Sequence, residues 1–313
     1  MTRVAVIGAG VMGCAAAWAL RERGAEVTVY EQFDLDNARG SSHGRSRIFR
    51  LAYPDPAWIR FAQEAYEGWN DLDPSLLELY GLVELAPDAS LTSARALDEC
   101  GVAYSLPTEV DGVAIPPGWI ALRVDDAGIV LADRARHAFL NGIDVLANTR
   151  VDSLDDVDAD AVVVTAGGWI GRLVDGIDVR VTRETVAYFR SDGPPLPSVV
   201  DIGAAGDHDM YSLHDPVHGL KAGAHHAGAE TDPDEVEAAD PAIVERISAW
   251  VAERFPGVDP EPVETDTCVY TSTPDHEFVL ERRGRVVVGS ACSGHGFKFA
   301  PAVGRRLASL ALQ

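Results

Sequence analysis

The chain has 313 residues, 47% of them hydrophobic and 24% charged, the profile of a globular protein with one large or two moderate domains. Its 49 acidic side chains outnumber 26 basic ones, and the resulting formal net charge of −23 excludes nucleic acid and anionic membrane as electrostatic partners. No run of 18 apolar residues would cross a membrane, and four scattered cysteines (Cys14, Cys100, Cys268, Cys292) match neither a disulfide framework nor a zinc site, so no metal and a reducing cytoplasm are expected.

Residues 3–7 read as a β-branched strand, followed at once by Gly8-Ala9-Gly10-Val11-Met12-Gly13. An Ala-rich helix over 14–23 ends at Gly24, a second strand covers 26–30, and Glu31 closes it. Residues 4–20 do not read as a signal peptide, because the basic flank is short and three glycines interrupt the run. The pattern is G-x-G-x-x-G inside a β-α-β unit, with an acid 18 residues after the third glycine. Gly8 makes the tight turn, Gly10 admits a pyrophosphate to the backbone, and Gly13 lets helix pack on strand. The anion would rest on the helix N-terminus, and Glu31 would accept from the ribose hydroxyls. The fingerprint alone does not separate NAD from FAD.

Farther along, 40–50 is a Gly-, Ser- and Arg-rich loop, 58–69 a helix, and 76–124 a Pro-punctuated stretch with short strands such as 81–85. A helix is expected over 127–139 and a strand over 145–151. The apolar strand 160–165, ending in a Gly turn, would rejoin the dinucleotide sheet. Residues 180–225 alternate as in an antiparallel sheet, 232–255 turn from acidic to amphipathic helix, 285–289 form a last strand and 301–312 a last helix. There are no internal repeats. The expected class is α/β, a dinucleotide domain interleaved with a second domain on a mainly antiparallel sheet.

Only two of the basic residues are lysines, Lys221 in Gly-Leu-Lys-Ala-Gly-Ala-His and Lys298 in Ser-Gly-His-Gly-Phe-Lys-Phe. Lys survives best where the never-deprotonating planar fork of Arg would fail, so both are candidate site residues; chance survival is the plain alternative.

The motifs Gly-Ser-Ser-His-Gly-Arg-Ser-Arg-Ile-Phe-Arg (40–50), Gly-Leu-Lys-Ala-Gly-Ala-His (219–225), Cys-Val-Tyr-Thr (268–271) and Ser-Gly-His-Gly-Phe-Lys-Phe (293–299) follow in an order that resembles the monomeric sarcosine oxidases and their relatives, the N-methyltryptophan and pipecolate oxidases. The resemblance spans nearly the whole chain. It implies a Rossmann-type FAD-binding domain over 1–75, 126–178 and 264–313, and a substrate domain over 76–125 and 179–263. It also implies oxidation of the C–N bond of a secondary amino acid, with oxygen as acceptor and hydrogen peroxide as product, by a monomer. Cys268 matches the cysteine bonded to the flavin, Arg50 and Lys298 the clamp on the substrate carboxylate, and Lys221 the cation that promotes reaction with oxygen. His43 and Arg47 resemble residues around the flavin, and Ser42 and Val151 belong with the cofactor-binding set. Tyr211, Tyr270 and His225 resemble pocket-lining side chains, while Gly294 and Gly296 bring backbone close to substrate and cofactor. Cys268 also reads as a small buried hydrophobe, the usual fate of a free cysteine. The chain is shorter than the family's usual length, and departs from its pattern at Asp55 and at Leu213-His214-Asp215, positions expected to border the substrate. A dehydrogenase using another acceptor and a non-catalytic flavin subunit are the rival readings.

Overall fold

The computed structural model describes residues 1–206 and 208–313. Its first layer is a six-stranded sheet in the order Val279–Arg283, Val286–Ser290, Ala161–Val164, Arg3–Ile7, Glu26–Tyr30, Asp144–Leu146. All neighbours run parallel except the hairpin 279–290 at one edge. Arg3–Ile7 lies between Glu26–Tyr30 and Ala161–Val164 and is buried from Val4 onward, which is why its sequence is continuously apolar. The helix Val11–Glu22 packs on the last helix, Ala300–Ala311, through small residues. A Cβ on Gly304 would stand 2.4 Å from the Ala15 carbonyl oxygen, so the backbones touch.

An eight-stranded sheet forms the second layer, in the order Ala229–Glu230, Arg180–Arg190, Gly219–Ala224, His208–Asp215, Ser198–Ala205, Leu82–Ala86, Ile120–Val124. It is antiparallel apart from the junction of Leu82–Ala86 with Ser198–Ala205. Glu264–Ser272 also pairs with Arg180–Arg190, from Glu264 opposite Tyr188 to Ser272 opposite Arg180. Residues 264–272 therefore join this sheet, although the sequence grouped them with the nucleotide segments. The helix Pro241–Arg254 is tied to the sheet through buried Asp201, which accepts from Trp250 Nε1 at 2.7 Å and Arg254 Nε at 2.6 Å. The segments of the two layers alternate along the chain, as the α/β interleaved class requires.

Local differences have physical causes. The expected helix over 127–139 divides into a strand, Gly128–Leu131, and a helix, Ala132–Leu140. The apolar run 127–132 suits either state, and pairing with Ser46–Phe49 selects the strand. That partner lies in the stretch read as loop. Asp144–Leu146 is shorter than the expected 145–151, and the helix in 232–255 begins only at Pro241, capped by Asp240. Among the described residues, no helix is long and apolar enough to cross a membrane.

Candidate active site

A cavity of ≈ 720 Å³ starts at the carboxyl ends of the parallel strands, beside Ile7 and Thr165, and reaches the face of the eight-stranded sheet at Tyr211 and Val200. Ligands bind at this edge of open α/β sheets. Every residue assigned a cofactor, substrate or catalytic role from the sequence lines it except Gly13. Gly13 sits one turn into the helix, where a Cβ would come within 1.9 Å of the Gly8 carbonyl oxygen. Its role is packing.

At the first end Gly8 has φ 101°, a conformation only glycine adopts readily, and a Cβ there would stand 2.7 Å from the Thr165 carbonyl oxygen. Gly10 caps the helix without any side-chain bond, and the first turn carries no acid. Val11 N donates to Ser42 Oγ at 2.9 Å. Glu31 is buried, its Oε2 accepting from Ala9 N at 2.8 Å and its Oε1 from Phe33 N at 3.0 Å, which leaves lone pairs for hydroxyl donors. Arg136 reaches the same loop, donating to the carbonyls of Ala9 and Leu35, and its buried Nε has no protein partner. Val151 lines this end as well. A bare helix terminus, a glycine turn and an orphaned guanidinium nitrogen fit a dinucleotide's diphosphate; the buried acid fits its ribose.

The other end gathers cations. Arg47 donates to the carbonyls of Ser46 and Ser41, both at 2.9 Å, and to that of His43, so it braces the 41–47 loop while lying 5.6 Å from the Phe297 ring centre. His43 is held between the Gly40 carbonyl at 3.0 Å and Asp266 Oδ2 at 3.2 Å. Burial pushes the Lys221 amine down to about 7, and Arg47 adds to the shift. Among the described residues, Lys221 and Arg50 make no hydrogen bond. Arg50 stacks 4.3 Å from the centre of Tyr53, and Lys298 lies 5.6 Å from the same ring, donating to the His295 carbonyl at 2.6 Å. Burial alone would raise the Tyr53 hydroxyl, but Lys298 and Arg50 outweigh it and pull it below the ordinary tyrosine value.

Cys268 faces the cavity from Glu264–Ser272. Burial raises its thiol to about 11, although Arg47 and Lys221 pull the other way, so it rests protonated. Gly294 has φ 74°, and a Cβ there would meet Tyr270 at 2.5 Å and His225 at 2.6 Å. Tyr270 Oη and His225 Nδ1 are 3.4 Å apart, and burial first, then His226 and Arg50, keep His225 neutral. A Cβ on Gly296 would come within 1.8 Å of the Ala291 carbonyl oxygen.

Three positions expected to border the substrate, Asp55, His214 and Asp215, do not line the cavity. Asp55 is an exposed N-cap, accepting from Ala57 N at 2.8 Å ahead of Pro56–Leu72. Of 213–215 only Leu213 reaches the cavity; Asp215 is buried against Arg45 Nε at 2.8 Å. Sequence reasoning missed Tyr53, Glu84 and Arg136. Glu84 alone left a visible signal, one acid in the apolar run Leu-Val-Glu-Leu-Ala.

The family model described as DAO, FAD dependent oxidoreductase, matches residues 3–310. A probable sarcosine oxidase of Arabidopsis thaliana is 32% identical over 368 aligned positions, covering 99% of this chain and 88% of that protein. The peroxisomal sarcosine oxidase of Homo sapiens is 29% identical over 357, covering 98% and 91%. Among solved structures, L-proline dehydrogenase from P. horikoshii superposes with a TM-score of 0.85 at 20% identity, covering 99% of this chain and 92% of that one; this likeness concerns the fold alone.

Proposed function

Since the chain belongs to the DAO family of FAD-dependent oxidoreductases, we propose that it oxidises the C–N bond of a secondary, N-methyl or cyclic, amino acid. Oxygen is the acceptor, the imine product is hydrolysed to aldehyde plus amine, and hydrogen peroxide is released. In this reading the enzyme is a cytoplasmic monomer. The observation that carries it is the Arg50–Tyr53–Lys298 arrangement: two cations lie against one buried ring in the cavity, and Arg50 has no carboxylate acceptor among the described residues. A substrate carboxylate supplies that acceptor, with Arg50 as the planar fork and Lys298 as the second charge.

When bound, FAD supplies the electron chemistry, accepting the hydride equivalent and passing electrons on. The protein's share is position and charge. Gly8, Gly10, Ser42, Glu31, Val151 and Arg136 would hold the nucleotide end; Arg47, His43 and Gly296 would shape the ring end. Tyr211, Tyr270, Gly294 and neutral His225 enclose the amine and exclude water from it. Lys221 presents a fixed cation where oxygen is reduced. Cys268 is the side chain placed for a covalent bond to the cofactor, and the bond requires loss of its thiol proton, which Arg47 and Lys221 favour.

Purified protein should be yellow and should release peroxide and aldehyde with sarcosine or with an N-methyl or cyclic amino acid. A colourless protein, or a yellow one silent towards all of them, contradicts the proposal. Acid precipitation should leave the yellow in the pellet, and Cys268→Ser should move it to the supernatant; colour in the wild-type supernatant contradicts the linkage.

A further inference from the structure

The far wall of the cavity holds a charge that the proposed reaction does not use. Glu84 is 2% exposed and is the single polar side chain in Leu82–Ala86, a strand buried at every residue. Across the sheet Glu84 pairs with Val200, and Val200 with Tyr211, so the three side chains stand on one face. Two strand spacings separate Glu84 from Tyr211, roughly 10 Å. All three line the cavity. An aliphatic residue would continue the surface of Val200, whereas a buried carboxylate carries a desolvation cost.

Among the described residues only Ser93 answers that carboxylate, its backbone N donating to Oε2 and its Oγ to Oε1, each at 2.9 Å. A carboxylate has about four acceptor sites, so about two remain open. No cation forms an ion pair with Glu84 among the described residues. Burial raises the Glu84 carboxyl above its ordinary value, and the Ser93 bonds and Arg50 at a distance pull it back only in part. Asp209, two residues before Tyr211 on the same face, adds like charge, so a cation arriving here is favoured. With the substrate carboxylate on Arg50 and Lys298, a side chain leaving the α-carbon crosses Tyr211 and Val200 towards these two acids. We propose that Glu84 selects the substrate by its side chain, favouring secondary amino acids that end in a cation or a hydrogen-bond donor. The inference rests on the functional reading above and names the substrate class within it.

The test is anaerobic flavin reduction by three matched N-methyl amino acids: N-methyl-lysine, its apolar counterpart N-methyl-norleucine, and N-methyl-glutamate. In the wild type, the second-order rate constant of flavin reduction by the basic substrate should exceed that of the apolar one by about tenfold or more, the scale of one charge-assisted bond. Glu84→Gln and Glu84→Leu should bring the ratio to within about threefold. Wild-type preference for the apolar or acidic substrate, or no preference, overturns the inference while leaving the functional reading standing. So does a preference that persists in Glu84→Gln. The wild-type comparison decides even if neither variant folds. Failure of all three to reduce a flavin that sarcosine or a cyclic amino acid does reduce overturns this inference alone, and failure of those substrates as well overturns the functional reading with it.

Discussion

Arg50 and Lys298 reach one tyrosine ring from distant parts of the chain, and only Lys298 is tethered, through the His295 carbonyl. In the proposed reading the tethered Lys298 would fix where a carboxylate sits, and Arg50 would close on it. Lys221 occupies a different setting, its side chain buried with no acceptor among the described residues, beside Arg47 and pushed down to about 7. Lys221→Met should slow reoxidation of reduced flavin by oxygen about 10²–10³-fold, the scale of losing one preorganised electrostatic donor. Stopped-flow mixing checks this, and anaerobic reduction by substrate should change far less. The same shift has a stability consequence. A lysine at about 7 in the folded chain and at 10.5 when unfolded binds fewer protons folded, so its contribution is full above 10.5 and is lost as pH falls through 7. In flavin-free protein, Lys221→Met should therefore stabilise relative to wild type at pH 6 more than at pH 10, read from urea midpoints; an equal gap at both contradicts it. The two lysines were legible from composition alone, because Arg replaces Lys almost everywhere else. Tyr53 was not, since its importance lies in the cations that three-dimensional packing brings to its faces.

Among the elements, the β-α-β unit is the one whose function is written in its spacing. Gly13→Ala would place a methyl 1.9 Å from the Gly8 carbonyl oxygen, and the helix must shift away from the strand. The expected result is flavin affinity about 5- to 150-fold weaker, from the roughly 1–3 kcal/mol of overpacking; undiminished flavin content contradicts it. The second sheet depends on a different device. Asp201→Ala leaves Arg254 and Trp250 Nε1 without their acceptor and should cost about 3–5 kcal/mol, measured by denaturant unfolding. Elements with strong local patterns (3–7, 26–30, 161–164 and the last helix) could be read from the chain. Ser46–Phe49 and Glu264–Ser272 could not, because their strand state comes from partners far away in sequence, Gly128–Leu131 and Arg180–Arg190. Asp55 was read as bordering the substrate, yet an acid two residues before Ala57 and just ahead of a proline has the pattern of an N-cap, and the structure uses it as one.

For the whole molecule, two sheets built from interleaved segments enclose a single long cavity, with the dinucleotide motif at one end and the sheet row Tyr211–Val200–Glu84 at the other. Chain order alone could not show that 40–50, 219–225, 268–271 and 293–299 converge; the fold brings all four to that cavity. The alignments with the relatives run over 357 and 368 positions while taking in 98% and 99% of 313 residues, so those relatives carry segments that this chain lacks. Set in a chain of net charge −23, Arg47, Arg50, Lys221 and Lys298 form a local positive site, which is where an anionic group of a small substrate belongs. We propose that this cluster orients an amino acid through its carboxylate, and anaerobic flavin reduction tests that most directly. A secondary amino acid should bleach the wild-type flavin, its carboxamide should do so at least about 10²-fold more slowly, and Arg50→Met should lose most of that discrimination. Equal reduction by acid and amide, or full discrimination retained in Arg50→Met, would contradict the account.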